Sequence, residues 1–112
     1  MAKQYPRSNF FPYRPSRNPY GTRVAELEKE REQSLILGDH STEKKRGHWR
    51  TFFKKPKNAF MQLELGAYLG DTAMALAEKN PEQCIVGLEW KFKQCFRAAQ
   101  KAGKRNLPNI CF

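Results

Sequence analysis

The sequence predicts an α/β fold built on parallel strands, and three observations carry that expectation. Two short apolar runs, FMQLEL at residues 60–65 and CIVGL at residues 84–88, have the length and composition of buried parallel strands. Between them lies a segment with helical spacing, which begins after Gly70 and stops at Asn80-Pro81. The first run ends at a glycine turn and the second at an acid, Glu89. Strand, crossover helix and strand make one βαβ unit, and its crossover is expected to be right-handed.

In the first strand Phe60, Met61, Leu63 and Leu65 are the apolar positions, and burial is expected for them. Gly66 and Gly70 bracket the turn that follows, and glycine lets a backbone take turn conformations and approach a ligand closely. Asp71 and Thr72 suit a helix start, and Ala73, Met74, Leu76 and Ala77 make the apolar face of that helix. Glu89, at the carboxyl end of the second strand about 20 residues past the turn, stands where an acid accepts both ribose hydroxyl protons of a bound nucleotide. Dinucleotide sites ask for G-x-G-x-x-G. Here Glu64 precedes the first glycine and the frame is G-x-x-x-G, which suits S-adenosylmethionine, a ligand without a pyrophosphate to cradle. The plainer alternative is a crossover whose glycines serve turn geometry alone.

Residues 90–103 (WKFKQCFRAAQKAG) have the clearest helical pattern in the chain. Phe92, Cys95, Phe96 and Ala99 recur at i, i+3, i+4 and i+7, with Lys91, Lys93, Arg97 and Lys101 on the other side. Gly103 is a plausible stop, and Lys104 and Arg105 suit the negative helix end. Residues 107–112 (LPNICF) lead into a third strand.

The first half of the chain has a different character. Residues 1–22 are rich in proline, arginine and aromatics, and Pro6, Pro12, Pro15 and Pro19 argue against a helix through them. Arg7, Arg14 and Arg17 interleaved with Phe10, Phe11 and Tyr13 suit an RNA-contacting arm; a disordered tail, or an arm docked on its own domain, is the alternative. Residues 23–34 predict a short surface helix with a thin apolar face of Val24 and Leu27. A short apolar patch, residues 34–38, then precedes a polar turn at residues 39–42. Beyond it, Lys44, Lys45, Arg46, Arg50, Lys54, Lys55 and Lys57 interleave with Trp49, Phe52 and Phe53. Arg46, Arg50, Lys54 and Lys55, with Lys91 beside the ligand edge, are candidate nucleic-acid contacts; a solvated basic face is the alternative reading. Two parts follow: a basic arm with a short helix at residues 1–57, and a ligand-binding α/β part at residues 58–112.

A chain of 112 residues supports one small domain at most. Its net charge of +10 favours a polyanionic partner, nucleic acid ahead of an acidic membrane surface. Cys84, Cys95 and Cys111 are odd in number and sit on expected core elements, as thiols of a reducing compartment do. His40 and His48 have no ligand-type partner at metal spacing, so no metal is expected. No nucleophile–base arrangement stands out. The amino terminus lacks the apolar core of a signal peptide, and no apolar run approaches membrane-spanning length. A cytoplasmic protein without a membrane partner is expected.

From Gln62 onward the sequence resembles the first half of the catalytic domain of the bacterial tRNA (guanine-N(7)-)-methyltransferases. The residues that carry the resemblance are Glu64-Leu65-Gly66, the helix end from Ala77 to Pro81, Gly87-Leu88-Glu89 followed by Lys91, and Leu107 to Ile110; HWRTFFKK at residues 48–55 adds a looser match. The resemblance implies a Rossmann-like class I methyltransferase fold, of which this chain holds the first βαβαβ half behind a basic irregular and helical extension. It implies S-adenosylmethionine as cofactor and tRNA as substrate. It implies that Glu64, Gly66 and Gly70 line the methionine part, that Glu89 holds the ribose hydroxyls and that Trp90 flanks the adenine. Two departures stand out. Tyr68 occupies the place of the family's central glycine, and the family's later strands, with their substrate-binding residues, have no counterpart in these residues. A further chain, or a carboxyl-terminal half, is therefore expected to complete the sheet. Two alternatives remain beside this one: a non-catalytic methyltransferase-like module that grips RNA, and a class I methyltransferase of another substrate.

Overall fold

A computed structural model describes residues 18–112. The aromatics and arginines of residues 1–17 lie outside them. The elements in chain order are α1 (Pro19–Lys29), α2 (Asp39–Lys44), α3 (Trp49–Phe52), β1 (Met61–Leu65), α4 (Asp71–Lys79), β2 (Cys84–Leu88), α5 (Phe92–Lys104) and β3 (Ile110–Cys111). The strands form one parallel sheet in the order β1-β2-β3, with Leu63 beside Val86 and Ile85 beside Ile110.

Side-chain alternation along a strand sends successive residues to opposite faces, and each face has its own cluster. Ile85 and Ile110 face the helices, where Met74 and Ala77 of α4, Ala98, Ala99 and Ala102 of α5, and Val24 of α1 close the layer. Cys84, Val86 and Cys111 face the other way, beneath Phe53, Trp49, Phe52 and Leu37. Small residues along the inner side of α5 let that helix lie close against the sheet, and Tyr20 of α1 packs on the Phe96 ring at 5.8 Å.

The outer edge of β3 is covered by residues that precede the sheet. The Phe112 N–H donates to the Leu35 carbonyl at 2.8 Å, and the Leu37 N–H donates to the Phe112 carbonyl at 2.7 Å. Residues 35–37 thus continue the ladder beyond β3, which is why the apolar patch Leu35-Ile36-Leu37 exists; Ile36 is wholly buried. At the other side β1 has no neighbour among the described residues. Burial of Phe60, Leu63 and Leu65 was the expectation for a parallel strand, and the structure corrects it: they are 63%, 56% and 74% exposed. A parallel strand is buried only when it has neighbours and cover on both faces. The aromatics of α3 and Phe53 reach only its Met61 end.

Helix α1 also differs from expectation. It starts at Pro19, inside the stretch where prolines argue against helix, because proline is tolerated in the first turn, where its missing N–H has no partner to lose. The Asn18 side chain accepts from the Tyr20 N–H at 2.9 Å and caps it. Helix α2 replaces the expected polar turn at residues 39–42, with Asp39 in its first turn and Lys44 in its last. The elements α4, β2 and α5 lie within a residue or two of their expected positions, and β3 is a two-residue strand inside the expected 107–112 segment.

Candidate functional site

The turn between β1 and α4 is built by alternating backbone handedness. Gly66, Tyr68 and Gly70 all have positive φ, at 74°, 53° and 80°. The Ala67 N–H donates to the Leu88 carbonyl at 2.8 Å, tying the turn to the end of β2. The Gly70 N–H returns to the Ala67 carbonyl at 2.8 Å and leads into α4. On the far side, Lys101 of α5 grips the turn's exit by an ion pair with Asp71 and a bond to the Leu69 carbonyl at 3.4 Å. The Lys101 ammonium, first through its hydrogen bond and then through its charge, holds the Asp71 carboxyl below its ordinary pKa.

The two glycines have different tasks. A side-chain carbon on Gly66 would meet nothing within 4 Å, so the turn leaves open space there. One on Gly70 would stand 2.6 Å from the Phe112 ring, and one on Gly87 of β2 2.8 Å from the same ring. Phe112 therefore fills a slot beneath the turn, and Gly70 is buried against it.

Glu89 joins the turn to the start of α5. One carboxylate oxygen accepts the Tyr68 N–H at 2.9 Å and the other accepts the Lys91 N–H at 3.0 Å. A carboxylate has about four acceptor positions, so each oxygen keeps capacity for a ligand hydroxyl. Beside it a cleft of about 390 Å³ opens at the carboxyl ends of the strands, between Gly66, Glu89 and Trp90 on one side and Val24, Leu37 and Asp39 on the other. A second cleft, of about 430 Å³, adjoins it and reaches Arg46 and Trp49. This size and this mixture of apolar wall with a few acids suit a small organic ligand.

Of the five residues proposed for the cofactor, Gly66, Glu89 and Trp90 share this cleft. Glu64 stays on β1 behind the turn, half-buried, and burial raises its carboxyl pKa. Gly70 lies beneath the turn, against Phe112. The contribution of Val24, Leu37, Gly38 and Asp39 was not anticipated. The signal available for it was the apolar patch at residues 34–38, too hydrophobic for a solvated linker. Cys95 forms part of the floor; burial foremost, then the Glu89 and Asp39 carboxylates, push its thiol up to about 12.

The candidate nucleic-acid residues divide in two. Arg46, Lys54 and Lys91 are exposed, with the Lys91 ammonium 5.7 Å from the Trp90 ring centre. Arg50 donates from Nε to the Ala59 carbonyl at 3.0 Å, and Lys55 donates from Nζ to the Pro81 carbonyl at 2.8 Å, so both also brace loops. Among the described residues no group of three or more His, Cys, Asp or Glu side chains could hold a metal ion. None of the described helices is long and apolar enough to cross a membrane.

Fold and cleft together define a mixed α/β protein with a small parallel sheet and a ligand-sized opening at the strands' carboxyl ends. Comparison with known proteins gives the class a chemistry: the relatives are methyltransferases. The chain is 40% identical over 55 residues to a tRNA (guanine-N(7)-)-methyltransferase of Chloroflexus aurantiacus, covering 49% of this chain and 25% of that protein. It is 33% identical over 67 residues to the enzyme of the same description from Christiangramia forsetii, covering 60% and 30%. A bifunctional glycosyltransferase/methyltransferase of Fusobacterium nucleatum is 36% identical over 78 residues, covering 69% of this chain and 12% of that protein. The similarity to tRNA (guanine-N(7)-)-methyltransferases expected from the motifs is thus borne out over about half of the chain. The chain spans about a quarter of the length of the Chloroflexus relative. No protein-family model matches the chain, and no solved structure matches it significantly.

Proposed function

We propose that this chain is the cofactor-binding part of an S-adenosylmethionine-dependent methyltransferase that acts on a guanine of tRNA. Its sheet is read as the first part of a class I, Rossmann-like methyltransferase fold, with residues 58–112 as the cofactor half and residues 1–57 as a basic extension that meets RNA. The observation that carries the reading is Glu89. Its carboxylate stands at the end of β2, bridges the glycine turn and the start of α5, and borders an open cleft. The kinship with methyltransferases supports it independently.

In this reading Glu89 binds the two ribose hydroxyls, Trp90 flanks the adenine, and Gly66 gives the methionine portion room. Glu64 and Gly70 support the turn from behind and below. When bound, the cofactor supplies an electrophilic sulfonium methyl. The protein's part is to hold donor and acceptor in line and to exclude water. Arg46, Lys54 and Lys91, with Arg50 and Lys55 beside them, carry phosphate contacts to the tRNA. Further polypeptide, added along β1, supplies the guanine site and completes the sheet. The reading assigns the protein to the cytoplasm, where tRNA is handled, with no membrane partner.

Isothermal titration of S-adenosylhomocysteine and S-adenosylmethionine into the folded chain tests this. Binding is expected at micromolar concentrations, weakened at least about tenfold by Glu89→Gln, which leaves one acceptor where the ribose asks for two. Equal binding by that variant would remove the ribose role. Two other readings have an observation behind each. Tyr68 at a glycine's place favours an RNA-gripping module without cofactor, which a folded chain that binds tRNA but neither nucleoside would establish. A methyltransferase of another substrate is the second, since the Fusobacterium relative is a methyltransferase with no tRNA in its name.

A further inference from the structure

We infer that the outer face of α5 is a phosphate-binding stripe: Lys93, Arg97 and Lys104, in one line along the helix, hold the backbone of an RNA. The choice of RNA as partner rests on the reading above. The stripe itself lies outside the cleft and apart from the basic residues already assigned to tRNA.

Helix α5 buries Cys95, Ala98, Ala99 and Ala102 against the sheet. At about 3.6 residues per turn, the direction opposite that face belongs to positions 93, 97, 100 and 104. These are Lys93, Arg97, Gln100 and Lys104, and all four are exposed. At about 1.5 Å per residue they make a row about 16 Å long. Residues 91–105 hold six lysines and arginines and no acid. Two of the six serve the fold: Lys101 pairs with Asp71 of α4, and Arg105 pairs with Glu78. Among the described residues, Lys93, Arg97 and Lys104 have no ion pair. Glu26 and Glu30 of α1 border the groove on one flank of α5, and neither pairs with the stripe. α5 packs on the sheet face that carries Ile85 and Ile110, whereas Phe53 and the aromatics of α3 cover the opposite one.

This placement of charge works against the helix that carries it. Like charges four residues apart repel, and a cation in the first turn opposes the helix dipole. Helices α2 and α4 are arranged the other way, each with an acid in its first turn and a lysine in its last. α5 instead has Lys91 at its N-cap, Lys93 in its first turn and no acid there. A bound polyanion relieves both costs, because the row neutralises its charge and releases its counterions. Gln100 is the uncharged member of the stripe, so the row offers no apolar side chain to enter a lipid surface. Anions repeated along a line are what a nucleic-acid backbone presents to it.

The test is filter binding of an unmodified tRNA transcript to the 112-residue chain across a potassium chloride series, with folding checked by circular dichroism. The stripe variant is Lys93→Gln, Arg97→Gln, Lys104→Gln. The control is Lys29→Gln, Lys57→Gln, Lys79→Gln, which changes the net charge equally. All six side chains are exposed, so both variants are expected to fold. The stripe variant should bind the transcript at least about tenfold more weakly. It should also lower the slope of log K against log salt by about two to three, as the loss of three phosphate contacts requires. The control should change that slope by less than about one. Equal effects of the two variants would mean that net charge alone attracts the RNA, and would overturn the stripe. Unchanged binding by the stripe variant would overturn it too. Both results leave the cofactor reading standing, since titration with S-adenosylhomocysteine tests that reading separately. A stripe variant that loses binding to phosphatidylserine vesicles but keeps the transcript would give the face to a membrane and overturn the RNA assignment. A folded wild type that binds no transcript overturns the tRNA part of the reading above, and this inference falls with it.

Discussion

Tyr68 is the residue at which local chemistry and backbone shape disagree. Its φ of 53° is the left-handed region that glycine occupies without strain, and a side chain there costs about 1 kcal/mol. The conformation is held by the N–H bond to Glu89, while the ring points outward and is 56% exposed. Replacement by glycine removes the strain but adds about 0.5–1 kcal/mol of chain freedom to the unfolded state. The two effects nearly cancel, so Tyr68→Gly is expected to leave the urea midpoint almost unchanged. A large loss would mean that the ring packs in solution. The thiols give a second prediction at this scale. Cys84, Cys95 and Cys111 are free and buried, and burial pushes the Cys95 thiol from an ordinary value of 9.0 up to about 12. The folded chain should therefore react with a thiol reagent only as fast as it opens. Because the folded thiol resists ionisation and the unfolded one does not, stability should fall as pH rises from about 9 towards 12. Urea midpoints measured from pH 8 upward check the sign; a rise would contradict it.

At the scale of elements, Phe112 links more of the structure than its position in the sequence suggests. Its ring occupies the slot left by Gly70 and Gly87, while its backbone receives residues 35–37 along the outer edge of β3. Truncation to alanine empties that slot beneath the glycine turn. Phe112→Ala is expected to cost about 3 kcal/mol or more, and Phe112→Leu distinctly less, by chemical denaturation. The comparison with the sequence is instructive here. Elements α4, β2 and α5 were legible because each carries its own period and its own stops: Pro81 after α4, the unbroken apolar run of β2, the three- and four-residue spacing of α5. The placement of Glu89 at the end of β2 and of the glycine turn before α4 was legible because the signals for both are local. The wall made by Leu37 and Asp39 was not, because its place depends on a hydrogen-bonded pairing with a strand more than half the chain away. The helix through Pro19 was missed for a smaller reason: the exclusion of proline applies to a helix's interior and not to its first turn.

For the whole molecule the decisive feature is the asymmetry of the sheet. One edge is covered by residues 35–37, and the other, β1, is open among the described residues. Strands that live at an edge are protected by charged side chains, proline or a bulge; MQLEL has Glu64 alone among these, and its Leu63 and Leu65, with Phe60 just before them, are largely exposed. β1 therefore has the composition of an interior strand. Alone, the chain should use that edge to associate with itself, and the net charge of +10 should oppose the association. Salt shortens the reach of that repulsion from about 30 Å at 0.01 M to about 8 Å at physiological strength, so self-association is expected to increase with added sodium chloride. The double variant Leu63→Lys, Leu65→Lys should suppress it at every salt concentration without lowering the unfolding midpoint, because both side chains already face solvent. Sedimentation velocity across a salt series makes the measurement. A wild type that stays monomeric at high salt would mean that β1 tolerates exposure, and the proposed addition of polypeptide along it would lose its physical basis.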